Sequence, residues 1–494
     1  MKLAHILLIF LAHDAREGAS APVPSPVVAT QHRRMGKPTP TSGSGCGNPC
    51  ITVDTATTFQ KFYGVGASMT GSSAANLMDT AVPSELKNDM LEALFHPDLG
   101  IGLSILRQPM GASDFTYTEY YTYEDVPGTF DIAKDEAEII PAIQDALAVN
   151  SNIKIMSLPW SYPAWMKENN SLLGGSPRSD LDYAQVGGYF ANYVQKYAAH
   201  GLDIWALSVQ NEPGHGTSDY ITMTMTPDQH TQAATSISSA LTTSGYTNIK
   251  MIAYDHNWDQ PSYPLDVLAD ADANNAIDAI AWHCYGGNVE AQQQVKEAHP
   301  SKEVFFTECT EFGSEPFYEG DFRWAMENLV FGTTQNHAST ILEWNLVLDA
   351  THGPKLSGGC TNCLGLLNLN DAKTDFWKSP AYYAFGHVSK FVQYDATRVG
   401  TVVSGNKAPA SLAFVNPDNT GVVILHNDSR RSTSVSVDMF GMICSNMEIG
   451  GMTVLSLVYD GTEVVKWETN YRNGNDIGTS FLQNKGVLAS CVST

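Results

Sequence analysis

Two glutamates are set apart by what precedes them. Glu212, in Gln210-Asn211-Glu212-Pro213, closes the apolar run Ile204–Asn211, and Glu308, in Thr307-Glu308-Cys309, closes Val304–Glu308. Two carboxyl groups facing each other across a cleft suit the cleavage of a glycosidic bond. One protonates the leaving oxygen, and the other attacks the anomeric carbon or activates water. Neighbouring groups can split their pKa values so that one is protonated and one ionised. Other residues of the right type close similar runs. Arg107, Asp114 and His283 carry polar groups that bond sugar hydroxyls, and Asn211 is placed to reach the 2-hydroxyl. Trp160, Tyr285 and Trp344 carry rings that stack on sugar faces. Singly, each has a plainer explanation. A glutamate in an acidic chain is usually a solvated charge, a lone histidine a satisfied core residue, a lone tryptophan packing. Glu311 and Glu315 compete with Glu308, and Glu343 reads as a buried acid paired with Arg107. The shared placement at the ends of β-rich runs binds the set together.

Those runs repeat: Phe62–Ser68, Ile101–Pro109, Ile153–Pro159, Ile204–Asn211, Ile249–Asp255, Ile277–His283, Val304–Glu308 and Thr340–Leu346. Helical stretches separate them: Pro83–Leu94, Asp135–Ala148, Asp180–Ala199, Thr226–Ser244, Pro264–Ala269, Val289–Ala298 and Phe322–Asn336. Thr226-Pro227-Asp228 offers an N-cap followed by proline in the first turn, and Ser84-Glu85 and Ser179-Asp180 are similar. Strands alternating with helices form parallel βαβ units, and this series fits an α/β fold, a (β/α)8 TIM barrel over 62–388. A doubly wound sheet is the competing fold. It calls for a Gly-rich loop after the first strand, and Gly64-Val65-Gly66-Ala67 lacks the G-x-G-x-x-G spacing. From 389 to 494 the pattern changes to short alternating runs, Val399–Val403, Ala410–Val415, Gly421–Asn427, Thr433–Val437, Met452–Tyr459 and Glu463–Glu468, separated by turn residues. This predicts a fused all-β sandwich side domain. The alternating segment Ile51–Gln60, within 46–61, is expected to add strands to it.

Composition narrows the partner. The 494 residues carry 52 Asp and Glu against 28 Lys and Arg, a net charge of −24, yet only 16% are charged and 43% are apolar. Disorder is excluded by the apolar content, and nucleic acid by the sign of the charge. Residues 1–21 read as a signal peptide, with Met1-Lys2, a short apolar run and Ala19-Ser20-Ala21 as cleavage site. Residues 22–45, rich in Pro, Ser and Thr, read as a leader or linker, with Arg33-Arg34 a possible processing site. No stretch has transmembrane length. A secreted, extracellular monomer is expected. Eight cysteines suit an oxidising compartment. Proximity suggests Cys46–Cys50 and Cys360–Cys363, and Cys444 can join Cys491; a zinc site from the two close pairs is the alternative. Asn169 and Asn427 head N-glycosylation sequons.

In order along the chain, Trp160-Ser161-Tyr162-Pro163-Ala164-Trp165-Met166-Lys167, Gln210-Asn211-Glu212-Pro213, Trp282-His283-Cys284-Tyr285, Thr307-Glu308-Cys309 and Glu343-Trp344-Asn345-Leu346 resemble glycoside hydrolase family 30. The resemblance covers about residues 52–494. It implies a retaining double displacement, with Glu212 as acid/base and Glu308 as nucleophile. Arg107, Asp114, Trp160, Asn211, His283, Tyr285 and Trp344 match positions lining the glycone subsite, and Glu311 matches no catalytic position. It implies no metal or organic cofactor. Gly353-Pro354-Lys355 with Gly358-Gly359-Cys360-Thr361-Asn362-Cys363 is similar to the loop of fungal secreted endo-β-1,6-glucanases. The implied substrate is therefore β-glucan polysaccharide. The alternatives are a glucosylated lipid, as for a glucosylceramidase, then another glycan of the family (β-1,6-galactan or xylan), and last a barrel that binds glycan without cutting it. Strand alternation adds that Cys284 and Cys309 each follow an inward residue. Both are expected to point outward behind the site, as a thiol pair or a disulfide.

Overall fold

The computed structural model describes residues 46–47, 49–312, 317–472, 486–488 and 490–493. The expected signal peptide, leader and processing site, and Glu315, lie outside the described residues.

Strand β1 (Cys50–Phe62) leads, after one residue, into eight parallel barrel strands. These are β2 (Gly64–Ser68), β3 (Ile105–Pro109), β4 (Lys154–Leu158), β5 (Ile204–Ser208), β6 (Lys250–Trp258), β7 (Ala279–Gly287), β8 (Glu303–Glu308) and β9 (Ala338–Leu348). Each pairs with the next, and β9 pairs with both β8 and β2, which closes the ring. The lumen is packed by Ile105, Met156, Ala206, Ile252, Ala279, Ala281, Phe305 and Leu342, with Tyr63. A hairpin of β10 (Gly365–Leu369) and β11 (Phe376–Lys378) adds to β9.

The helices between strands are α1 (Gly71–Met78), α2 (Ser84–Phe95), α3 (Ala133–Glu138), α4 (Ile140–Val149), α5 (Tyr183–Ala199), α6 (Pro227–Thr243), α7 (Ser262–Leu268), α8 (Ala271–Ala276), α9 (Ala291–Ala298) and α10 (Phe317–Trp324), followed by α11 (Pro380–Ser389). Their ends follow local chemistry. At α6 the Thr226 hydroxyl accepts from Gln229 N and the Gln229 side chain accepts from Thr226 N, a reciprocal cap with Pro227 in the first turn. Helix α5 begins later than Ser179-Asp180 suggests, because Asp182 accepts from Ala184 N and sets the start. The single helix expected over Asp135–Ala148 is two. Pro141 has no N–H to give and crowds the preceding turn, so the first helix stops at Glu138. The stretch expected as one helix over Phe322–Asn336 changes to π-helical pitch over Ala325–Thr333.

After the barrel come β12 (Ala396–Ser404), β13 (Ala410–Val415), β14 (Gly421–Asn427), β15 (Thr433–Met439), β16 (Met442–Ile449), β17 (Thr453–Tyr459), β18 (Val464–Asn470), β19 (Gly486–Val487) and β20 (Cys491–Ser493). Strand β16 is absent from the sequence reading. Its run Met442-Ile443-Cys444-Ser445-Asn446-Met447 buries most residues in succession, so polar alternation does not mark it. These strands sandwich a core that includes Ile51, Val399, Val423, Leu425, Val437 and Leu457. Strand β1 lies inside this domain, antiparallel to β12 and parallel to β15. The main barrel core continues into Phe414, Ile424, Val454 and Tyr471 without a break. Buried His387 of α11 bridges the two parts, bonding Ser456 Oγ at 2.8 Å and Thr469 Oγ1 at 2.7 Å.

All eight cysteines pair: Cys46–Cys50, Cys284–Cys309, Cys360–Cys363 and Cys444–Cys491. Of the two sequons, Asn169 is exposed. Asn427 is buried, and its amide donates to the carbonyls of Arg431, Ile449 and Gly450. No helix among the described residues is long and apolar enough to cross a membrane.

Candidate active site

The chemistry-bearing side chains gather at the C-terminal ends of the barrel strands, where the loops of such a barrel build a site. Arg107 projects inward from β3 and is fully buried. Its guanidinium fork organises the floor. Nη1 bonds Glu308 Oε2, Nη2 donates to Asn211 Oδ1 at 2.7 Å, and Nη2 lies 3.5 Å from Asp255 Oδ1. Trp160 and Trp344 stack on each other at 4.9 Å, and the guanidinium lies 5.0 Å and 5.4 Å from their rings. A planar cation against two indoles is held in orientation as well as in charge. Glu308 is fixed from its other oxygen by the Tyr285 hydroxyl, which donates to Oε1 at 3.0 Å.

Glu212 follows β5 on a backbone set by its neighbours. Gln210 points its amide back to the carbonyls of Trp160, Asn211 and Met223, and Asn211 N donates to Pro159 O at 3.0 Å. Glu212 itself has φ 46°. Its Oε1 lies 2.9 Å from His283 Nδ1 and 3.5 Å from His256 Nδ1. Behind it, His283 Nε2 meets Asp255 Oδ1 at 3.0 Å, and Thr307 Oγ1 donates to the same Asp255 oxygen at 2.6 Å. Asp255 reaches this position through a bulge in β6, where Tyr254 and Asp255 have φ 72° and 55° and the register with β7 slips.

These contacts set the charges. Burial alone raises a carboxyl pKa, but hydrogen bonds and charge from His256 and His283 hold Glu212 well below the ordinary range. Asp255 is likewise pulled down to about 2, since the Arg107 charge and the His283 and Thr307 bonds outweigh burial. Burial lowers an imidazole, but the Glu308 and Asp255 charges and the bonds to Asp255 and Glu212 carry His283 up to about 9. Asp114 is pushed up to about 8 by burial, with the Glu308 and Glu212 charges adding to it.

A cavity of about 540 Å³ opens over this floor. Of the residues singled out in the sequence, Asp114, Trp160, Asn211, Glu212, Tyr285, Glu308 and Trp344 line it. Arg107 and His283 do not. Both stand one layer behind, and both nitrogens of His283 are taken by Glu212 and Asp255, so it has none left for a sugar hydroxyl. Glu311 is buried away from the cavity. The expected Glu343–Arg107 pair is absent. Glu343 instead accepts from Glu311 N at 3.1 Å, because Arg107 is committed to Glu308 and Asp255.

Asp255, which ends the run Ile249–Asp255, and His256 just after it stand at a strand end in the sequence, which assigns neither of them a role in the site. The sequence also assigns none to His215, Tyr220 and Phe312, which line the cavity from loops and carry no strand signal. The segment 358–363 forms a further wall. Gly358, at φ 103°, lets that wall press on Asp219, whose carbonyl would lie 2.2 Å from a Cβ there. The bridge between Phe312 and Cys363 ties the wall to the end of β8. Cys284 and Cys309 form the disulfide allowed for them, linking the chain just after His283 to that just after Glu308.

Ligand atoms of Glu212, His256 and His283 fall within 4.8 Å of one another. The Glu212–His283 contact is already a hydrogen bond and the second His283 nitrogen serves Asp255, so the trio reads as a proton-bearing chain and not as a metal centre. The arrangement offers one carboxylate clamped by a cation and a phenol, a second carboxyl bonded to a histidine, and an aromatic wall.

Comparison with known proteins bears on the family and the fold. The profile of the glycosyl hydrolase family 30 TIM-barrel domain matches residues 62–392, and that of the family's beta sandwich domain matches 395–456. Endo-1,6-beta-D-glucanase BGN16.3 of Trichoderma harzianum is 30% identical over 421 residues, 78% of this chain and 83% of that protein. Lysosomal acid glucosylceramidase of Mus musculus is 27% identical over 412 residues, 78% of this chain and 79% of its own. Among solved structures, the endo-beta1,6-glucanase BT3312 superposes with TM-score 0.79 at 27% identity, covering 84% of this chain and 96% of that one.

Proposed function

The chain belongs to glycoside hydrolase family 30, and from that premise we propose that it is a retaining endo-β-1,6-glucanase. Glu308 attacks the anomeric carbon and forms a glycosyl-enzyme bond, while Glu212 protonates the departing oxygen. Glu212 then takes a proton from the water that releases the sugar. The observation that carries this reading is that both glutamates line one cavity, with Glu308 clamped by Arg107 and Tyr285 and Glu212 bonded to His283. The Arg107 bond keeps Asn211 beside the reacting centre, where its amide can meet the 2-hydroxyl. Asp114 and the Trp160–Trp344 stack supply the polar and aromatic contacts for the glycone.

The linkage is supported by three curated relatives at 30% identity, each an endo-1,6-beta-D-glucanase. Four disulfides support an extracellular enzyme, and the exposed Asn169 is the sequon proposed to carry a glycan.

The test is a side-by-side assay on pustulan (a linear β-1,6-glucan), glucosylceramide and xylan, with the anomer of the first product read by NMR. Pustulan should be cleaved fastest and the β-anomer should appear first. Faster turnover of glucosylceramide would transfer the assignment to the glucosylceramidase reading, and an α-anomer would overturn retention.

A further inference from the structure

The mouth of the barrel divides into two halves. Trp344 on β9, Asp114 after β3 and Trp160 after β4 stand on one half, with the contacts assigned to the glycone. The segment 358–363 walls that half: at Gly359 a Cβ would meet the Asp114 carbonyl at 2.8 Å. The other half is an arc over the four consecutive strands β5 to β8. His215 and Tyr220 follow β5, Asn257 and Tyr285 stand near the ends of β6 and β7, and Phe312 follows β8. The wall ends where the arc ends, with Gly358 against Asp219 and Cys363 bridged to Phe312.

Each part of the arc is held in place. His215 N donates to Glu212 O at 2.8 Å, so a turn that starts at Glu212 itself sets the imidazole. His215 Nε2 meets the Tyr220 hydroxyl at 2.8 Å. Asn257 Oδ1 accepts from Tyr285 N at 3.0 Å. Leu364 N donates to Glu311 O at 3.0 Å and fixes the backbone beside Phe312. Phe312 is nonetheless 45% exposed and lines the cavity. An apolar ring facing an opening, with polar groups at the far end of the same arc, is a surface that suits a pyranose. The C–H face of the sugar covers the ring, and its hydroxyls meet the polar groups.

We propose that this arc is the leaving-group subsite, where the sugar on the reducing side of the scissile bond stacks on Phe312 and bonds His215 and Asn257. The inference rests on the reading of Glu212 as acid/base, which fixes where the departing oxygen lies, and it names what departs: a neutral glucosyl unit. His215 and Asn257 find no partner in the hydrocarbon of a ceramide and would be desolvated by it at a cost. After the first sugar has left, the same arc holds a second one in place of water. The 6-hydroxyl oxygen of that sugar bonds the anomeric carbon, the bond from that carbon to the Glu308 carboxylate breaks, and the hydroxyl proton passes to Glu212. The product is a lengthened β-1,6 chain.

The experiment compares Phe312→Ala and His215→Ala with the native full-length enzyme on a β-1,6-linked glucotetraose, on β-gentiobiosyl fluoride and on glucosylceramide. A fluoride leaving group does not fill the arc. In each variant kcat/KM should fall on the tetraose by about tenfold more than on the fluoride, the loss expected when one ring face or one polar contact is removed. With the fluoride as donor and gentiobiose added as acceptor, the ratio of transfer product to hydrolysis product should fall by a similar factor. That ratio is set within one glycosyl-enzyme, so a merely structural role lowers both rates alike and leaves it unchanged. Equal losses on the tetraose and the fluoride with an unchanged ratio overturn the proposal. So does a variant that loses glucosylceramide turnover while cleaving the tetraose normally, because the arc then serves a lipid. If one variant fails to fold by thermal melting, the other decides. Glu212→Ala with azide on the fluoride is run alongside. Formation of the β-glycosyl azide, with native selectivity in the arc variants, rejects the subsite alone. Absence of azide product from folded protein rejects the acid/base reading beneath it.

Discussion

The backbone N–H of Glu212 donates to the carbonyl of Asp255 at 3.0 Å, and both residues hold left-handed φ values, 46° and 55°. The two carboxyls at either end of the histidine chain are thus tied through the main chain as well. Conformations of this kind cost a non-glycine residue about 1–3 kcal/mol, and they persist where the surroundings enforce them. Glycine carries no such cost. Glu212→Gly should therefore be more stable than Glu212→Ala by about 1 kcal/mol. Denaturant melts of the two variants test this. An alanine variant as stable as the glycine one would mean that the backbone at Glu212 is unstrained.

Removal of the two carboxyls should have different signatures. Glu308→Gln deletes the group that forms the covalent intermediate, and turnover should fall by several orders of magnitude on every substrate. Glu212→Ala should lose about 10²–10⁴-fold on pustulan, far less on an activated aryl glucoside, and recover with azide on the latter. Reducing-sugar release measures the first and aryl release the second. Near-normal turnover in Glu308→Gln would remove it from the nucleophile's role.

The Cys284–Cys309 bond closes a 25-residue separation between the two strand ends that carry His283 and Glu308. Loop-closure entropy for that length is worth about 3.5 kcal/mol. The double variant Cys284→Ser, Cys309→Ser should inactivate on heating markedly faster than the native enzyme, and kcat should drop because Tyr285 no longer holds Glu308 steadily. Unchanged inactivation rates and kcat would show the link to be dispensable.

His387 lies between barrel and sandwich with both nitrogens bonded to hydroxyls, and burial, with the nearby His426, pushes it down to about 3. An unfolded histidine takes up a proton near 6.5. Between these values the unfolded chain binds more protons than the folded one, so the neutral imidazole's contribution is complete above about 6.5 and is lost as pH falls toward 3. Buried carboxyls such as Asp135, raised to about 6, work in the opposite direction, so the contribution is best read as a difference between two proteins. Against His387→Gln, the native stability advantage should shrink steadily from pH 6.5 down to 4. A constant gap across that range would contradict a neutral buried imidazole.

The barrel was readable because its strands and helices alternate with clear punctuation, and the two glutamates because each ends such a strand. Asp255 was not. Its inward position comes from a bulge at Tyr254 and Asp255 whose positive φ no residue type announces. His283 was recognised as a site residue but placed against the sugar. Only the three-dimensional contacts show that its nitrogens are spent on two acids. Loop residues such as Phe312 and the 358–363 wall reach the cavity through pairings distant in sequence, which periodicity cannot express.

One join between the two domains has a wider meaning. Strand β1 runs through the sandwich and is separated from the first barrel strand by Tyr63 alone, whose N–H bonds Ser339 O at 2.7 Å, while Gly64, at φ 141°, turns the chain where a Cβ would meet the Ser104 hydroxyl. There is no length of linker there to lengthen or cut. The sandwich cannot be traded as a cassette between barrels, because its own seam is the opening stave of the barrel beside it. Any graft made at this boundary must carry β1 and its register with β12, so the pair is inherited, or redesigned, as one object.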